Sequence, residues 1–160
     1  ALKGLTSFSE DMRARGMVPG TTLLAFHTIP ASPSFASQLG IGEGENVYEI
    51  RRIRLADGLP MALETAYVPC SLVPGLMEQN VSGSIYEFIE NKLGLTIRSA
   101  TQVLEASVAR KLEAELLQIK EGAPVLLIQR NSYLQTGQPL EIVKSVYRAD
   151  RYKFMIEMER

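Results

Sequence analysis

The chain has 160 residues, 46% of them hydrophobic, and a formal net charge of −1. That is enough for one domain with a real core, and the charge balance excludes the strongly basic field expected of a nucleic-acid surface or a polybasic membrane anchor. The single cysteine, Cys70, cannot close an internal disulfide, the single histidine, His27, sits in no metal-ligand cluster, and no apolar run has the length of a membrane span.

Ser7 followed by Glu10 predicts a capping box opening a short helix, which Gly16 ends before Pro19-Gly20 turns the chain. Residues 21–28 read as a strand, and 33–39 as a short helix closed by Gly40. Residues 47–55 and 61–68 form a first hairpin about Asp57-Gly58. A turn-rich stretch covers 71–81. Ser84 and Glu87 then predict a second capped helix through Lys92, ended by Gly94. A long strand at 96–107 and a helix at 109–117 lead to a second hairpin, 125–134 with 140–147. Residues 152–158 alternate apolar and polar, which predicts a closing strand with one wet face. No linker or internal domain boundary interrupts this order.

The two hairpin regions are copies of one pattern. Leu39, Ile41, Glu43, Gly44, Val47, Ile50 and Arg52 recur as Leu117, Ile119, Glu121, Gly122, Val125, Ile128 and Arg130. Gly58-x-Pro60 recurs as Gly137-x-Pro139. Two hairpins, each preceded by a short helix, predict an α+β fold: a central antiparallel sheet of about six strands, flanked by helices and built from a duplicated unit.

The candidate site residues are those that break apolar alternation. Tyr48, Ile50, Arg52 and Arg54 share one strand face, which turns basic at its far end. Arg52 and Arg54 are either a solvated strand end or two guanidinium forks on one anion. Glu64 shares a face with Ala62, Ala66 and Val68, and a carboxylate there needs a partner: Arg51, Arg52 or a ligand. Glu141, on a face with Val143, Ser145 and Tyr147, poses the same question. Ser9 and Ser84 sit at helix starts, where they are plain caps or donors to an anion. A plain two-residue turn at Asp57-Gly58 pairs Glu64 with Arg51; bringing Glu64 beside Arg52 needs one extra residue, such as a bulge at Gly58. No nucleophile motif, phosphate loop or dinucleotide fingerprint occurs. Arginine and serine for a charged group, with glutamate and tyrosine for hydroxyls, point to a sugar or phosphate-ester binding site.

The segment L-T-S-F-S-E-D-M-R-A-R-G at Leu5–Gly16, with the pattern around Leu39–Gly44, resembles the effector-binding (UTRA) domain of GntR-type bacterial transcription regulators of the HutC subfamily. The resemblance covers essentially the whole chain. It implies a chorismate-lyase-like fold with an effector pocket between sheet and helices. It implies the ligand-sensing part of a cytoplasmic, homodimeric repressor that binds an amino-sugar phosphate, glucosamine-6-phosphate or N-acetylglucosamine-6-phosphate. Operator DNA would be reached only through a winged helix-turn-helix preceding Ala1 and absent here; no cofactor, metal or membrane is implied. By the same resemblance Phe8, Ser9, Arg52, Arg54 and Ser84 meet the phosphate, and Glu64, Glu141 and Tyr147 meet the sugar. A sensor of another phosphorylated sugar or small anion, and a chorismate-lyase-type enzyme, are the alternatives.

Overall fold

Six antiparallel strands form one sheet in the order β1-β2-β3-β6-β5-β4. They are β1 (Pro19–Pro30), β2 (Asn46–Ala56), β3 (Leu59–Pro69), β4 (Ile97–Val108), β5 (Pro124–Leu134) and β6 (Pro139–Arg148). The computed structural model describes residues 4–160, so Ala1 and the DNA-binding domain expected ahead of it lie outside the described residues. The strand order is symmetric about the β3–β6 seam. Each half is an edge strand, a crossover helix and a hairpin. The crossover helices are α2 (Pro33–Leu39) and α5 (Lys111–Leu117), and each half is preceded by a short helix, α1 (Phe8–Ala14) or α4 (Ile85–Glu87). A further short helix, α3 (Glu78–Val81), lies in the turn-rich stretch before α4. The internal repeat is therefore the fold itself.

The local chemistry explains the helix boundaries. Ser7 Oγ accepts from the Glu10 N–H at 3.2 Å and Ser84 Oγ accepts from the Glu87 N–H at 3.3 Å, so both serines cap. Ser32 caps α2, with Pro33 next to it and a left-handed Gly40 at the end. The second predicted helix departs from expectation: after Glu87 the chain widens into a π-turn over Phe88–Lys92.

Both hairpins carry a bulge in the same place. Asp57 and Gly58 have φ values of 51° and 77°, as a tight hairpin turn between twisted strands requires. Leu55 pairs with Pro60 but Arg54 pairs with Ala62, which makes Met61 the extra residue. In the second hairpin Tyr133 pairs with Pro139 but Ser132 pairs with Glu141, which makes Leu140 the extra residue. The bulge expected at Gly58 thus sits after the proline in each Gly-x-Pro turn, where proline offers no N–H to the ladder. Its consequence is the pairing of Arg52 with Glu64.

The front of the sheet packs Phe8, Met12, Met61, Ala62, Ile128, Tyr147 and Tyr152 around α1, and Ile50, Val68, Val81, Ile85, Ile89 and Leu140 around α3 and α4. The back packs α2 through Ala36, Leu39 and Ile142, and α5 through Ala114 and Val125. Among the described residues, the expected closing strand has no strand partner. A turn after β6 (Tyr152 N–H to the Arg148 carbonyl, 3.0 Å) lifts the chain off the sheet. Tyr152 then packs at a tilt against Tyr147, with ring centroids 4.2 Å apart, and residues 153–158 carry no strand among the described residues. Alternation makes a strand only where a backbone edge receives it.

Met61 is 1% exposed and Leu59, two residues earlier, is 51% exposed. Met61→Ala should cost about 2–5 kcal/mol of stability and Leu59→Ala no more than about 0.5 kcal/mol. Denaturant titration of the two variants checks this; equal effects would mean that the bulged residue does not anchor the front core.

Candidate functional site

A cavity opens on the front of the sheet between the starts of α1 and α4. Its walls come from both halves: Arg52, Arg54 and Glu64 from the first hairpin, Arg130, Glu141, Ser145 and Tyr147 from the second, and Thr6, Ser7, Phe8, Ser84 and Tyr86 from the two helix starts. Its free space is ≈ 70 Å³. Clefts that hold small organic ligands run to about 300–1,000 Å³, so a sugar phosphate enters only if the walls part.

One end is cationic. Arg52 and Arg54 are 3% and 4% exposed. Arg52 Nη2 and Arg54 Nη1 both donate to Glu64 Oε1, the latter at 3.3 Å. Arg52 Nη1 also donates to the Val81 carbonyl at 3.1 Å and the Gly83 carbonyl at 3.2 Å. The Arg54 guanidinium lies 4.6 Å from the Phe8 ring centroid. Nε of each arginine is buried without a hydrogen-bond partner among the described residues. Two buried cations share one carboxylate, which leaves one positive charge and two donors unmatched. Burial alone would raise the Glu64 carboxyl, but Arg52 and Arg54 overturn that and hold it at about 2. Burial pushes the Arg54 guanidinium down, Glu64 opposes this, and Arg52 adds to it. The arrangement can accept an anion.

The other end is a hydroxyl network. Glu141 Oε1 accepts from Tyr86 OH at 2.6 Å and Ser132 Oγ at 2.9 Å, and those two hydroxyls lie 3.0 Å apart. Burial pushes the Glu141 carboxyl up against the pull of Tyr86, Ser132 and Arg130, and Glu64 pushes it further up. Burial, then Glu141, raises the Tyr86 hydroxyl; burial, then Glu64, raises that of Tyr147. Both tyrosines therefore stay protonated as donors.

Of the residues singled out in the sequence, Phe8, Arg52, Arg54, Glu64, Ser84, Glu141 and Tyr147 line this one cavity. Ser9 is buried in the first turn of α1, one residue beyond the lining. Glu64 resolves its burial through Arg52 and Arg54 rather than Arg51. Sequence reasoning passed over Tyr86, Gln102 and Ser132, which are scattered through the chain and share no motif, and it placed Ser145 on the Glu141 face without a role. Arg130 carried a signal, its repeat with Arg52.

The UTRA domain model matches residues 14–153. Over its whole length the chain is 46% identical to the HTH-type transcriptional repressor NagR of Bacillus subtilis (strain 168), of which it covers 66%. It superposes on the effector domain of PhnF from Mycobacterium smegmatis with a TM-score of 0.91 at 28% identity, covering 99% of each chain. A GntR-family transcriptional regulator from Enterococcus faecalis V583 aligns with a TM-score of 0.80 at 30% identity, over 86% of this chain and 99% of that one. The chain spans less than two thirds of the length of the curated relatives it matches.

The two carboxylates should titrate with opposite signs. Glu64, depressed from an ordinary 4.5 to about 2, stabilises the fold above pH 4.5, and that contribution is lost as pH falls toward 2. Glu64→Gln should cost about 3–5 kcal/mol near neutrality, because two guanidiniums lose their counter-charge. Glu141 is raised, so its favourable neutral form is lost as pH climbs through its folded pKa. Glu141→Gln keeps an acceptor oxygen and should melt above the parent at neutral pH, with the gap closing in acid. Melting curves across about pH 3 to 8 measure both signs.

Proposed function

The chain belongs to the UTRA domain family, and on that footing we propose that it is the effector-sensing domain of a repressor whose ligand is an amino-sugar phosphate, glucosamine-6-phosphate or N-acetylglucosamine-6-phosphate. The observation that carries the reading is the cationic end of the cavity. Two buried guanidiniums with unmatched Nε donors share one carboxylate there, beside the capped starts of two helices. A phosphate supplies the missing charge and accepts several donors at once. Arg52 and Arg54 take it, with Ser84 and the Phe8–Ser9 turn beside them. The sugar then lies toward Glu141, Tyr86 and Tyr147, with Glu64 between the two ends. The 46% identity to a transcriptional repressor, NagR of Bacillus subtilis, supports the repressor part of the reading.

The mechanism is linkage. The cavity at rest is smaller than the ligand, so a bound sugar phosphate selects an arrangement in which the helix starts stand apart. A DNA-binding domain ahead of the described residues feels that choice as a change in operator affinity. The relatives that carry a stated role are transcriptional regulators, which supports sensing rather than turnover. No helix among the described residues is long and apolar enough to cross a membrane. A repressor meets its operator in the cytoplasm, and the proposed role places the domain there.

Calorimetric titration separates the two ends. Arg54→Ala should lose about 1.5–3 kcal/mol of affinity for glucosamine-6-phosphate and for inorganic phosphate alike. Glu141→Gln should weaken the sugar phosphate and leave inorganic phosphate nearly unchanged. Equal losses from Glu141→Gln would place that residue at the anion instead, and parent affinity in Arg54→Ala would remove the anion grip.

The domain also pairs with a second copy, as operator half-sites require. The tail exposes Phe154, Met155, Ile156 and Met158, and β4 is a long outer strand of the sheet. Sedimentation at micromolar concentration should show a dimer; a monomer alone would count against this part of the reading.

A further inference from the structure

Arg130 is the repeat counterpart of Arg52, and its hydrogen bonds mirror those of Arg52 across the fold. Arg52, in the first half, donates to the Val81 and Gly83 carbonyls, just ahead of Ser84, the residue that caps α4 of the second half. Arg130, in the second half, donates through Nη1 to the Thr6 carbonyl at 2.7 Å, just ahead of Ser7, the residue that caps α1 of the first half. Each half thus reaches across the cavity and holds the backbone entering the other half's helix. The two arginines differ in their surroundings. Arg52 belongs to the anion end through Glu64, whereas Arg130 is steadied by Gln102, which accepts from its Nε at 3.0 Å, and feels the charge of Glu141 and the hydroxyl of Tyr86.

We propose that Arg130 is a positioning residue that clasps the segment before α1 to the sugar half of the cavity, so that a ligand seated against Glu141 and Tyr86 controls how firmly that segment is held. Three observations converge on this. The Arg130–Thr6 bond spans 124 residues of sequence, so it is a tertiary tie and not a local turn. The cavity must widen to admit a sugar phosphate, and the helix starts are the walls that the two arginines restrain. Arg130 shares its electrostatic neighbours with the hydroxyl-reading network, so charge or hydrogen bonds added there compete for the same guanidinium. The clasp gives the sensor reading a defined first moving part, and its ligand-dependent half rests on that reading.

Hydrogen exchange followed by mass spectrometry on the whole chain tests it. Losing a hydrogen bond from a charged donor should let the amides of residues 6–12 exchange at least about tenfold faster in Arg130→Met, with β2 and β3 unchanged. Arg130→Lys should recover part of the protection, since its ammonium can still donate to one carbonyl. In the parent, glucosamine-6-phosphate should alter exchange in residues 6–12; in Arg130→Met it should not, although inorganic phosphate still binds as it does to the parent. Unchanged exchange at residues 6–12 in Arg130→Met would overturn the clasp. So would faster exchange spread evenly over the sheet, which marks a merely structural role, or a loss of phosphate affinity like that of Arg54→Ala, which marks an anion ligand. Should Arg130→Met not fold, Gln102→Leu removes the tie to Nε while keeping the cation; it should loosen the same residues to a smaller degree, and no local loosening would overturn the proposal. A parent that binds no glucosamine-6-phosphate would refute the assigned ligand, and the unliganded comparison would still decide the clasp.

Discussion

One carboxylate oxygen, Glu64 Oε1, receives both Arg52 and Arg54, and the rest of the site is arranged around that shortage of negative charge. Taking a guanidinium out of water costs several kcal/mol unless it is paired and hydrogen-bonded. Here one anion serves two cations. Backbone carbonyls ahead of α4 and the face of Phe8 cover part of what remains. The charge at this end is therefore wired to the position of the helix starts: whatever anion relieves the arginines also changes what holds Val81, Gly83 and Phe8. In the proposed function, affinity and conformation are therefore coupled by the same few atoms.

Duplication explains how such an end arises beside the hydroxyl network of Tyr86, Ser132 and Glu141. The repeat sets Arg52 against Arg130 and, two residues on, Arg54 against Ser132. The pair Arg54–Ala62 across the first hairpin corresponds to Ser132–Glu141 across the second. One half placed a second cation at this position; the other placed a hydroxyl and an acid. The bulges at Met61 and Leu140 are shared, and each sinks an extra side chain into the front core while keeping the following acid on the cavity face. Pseudo-symmetry delivers both halves to one cavity, and divergence at three strand positions, Arg54 against Ser132, Ala62 against Glu141 and Glu64 against Val143, makes its ends chemically different.

The separation between stability and function runs along the same line. The back clusters and the front cluster around α3 and α4 are mainly aliphatic, whereas the front cluster around α1 includes Phe8 and Tyr147, which also line the cavity. The charged residues lie where the two front clusters part, at the gap between α1 and α4. The strand ladders run beneath the cavity floor, so the proposed opening of that gap requires no change of sheet register.

The repeat, the turn residues and the helix caps are short-range chemistry, so the sequence by itself determined the duplicated α+β unit, the positions of both hairpins, and the arginines and acids that break apolar alternation. Alternation was not sufficient at its end: residues 152–158 have the strand pattern but pair with no strand among the described residues. The location of each bulge, the choice of Arg52 over Arg51 as partner of Glu64, and the recruitment of Tyr86, Gln102 and Ser132 were decided only by the tertiary structure. A one-residue shift reverses the face of every later side chain in a strand, and that shift depends on how Met61 and Leu140 pack. The Arg130–Thr6 clasp lies further still beyond the reach of local pattern, because residues 124 positions apart meet only when two halves of the fold close on one another.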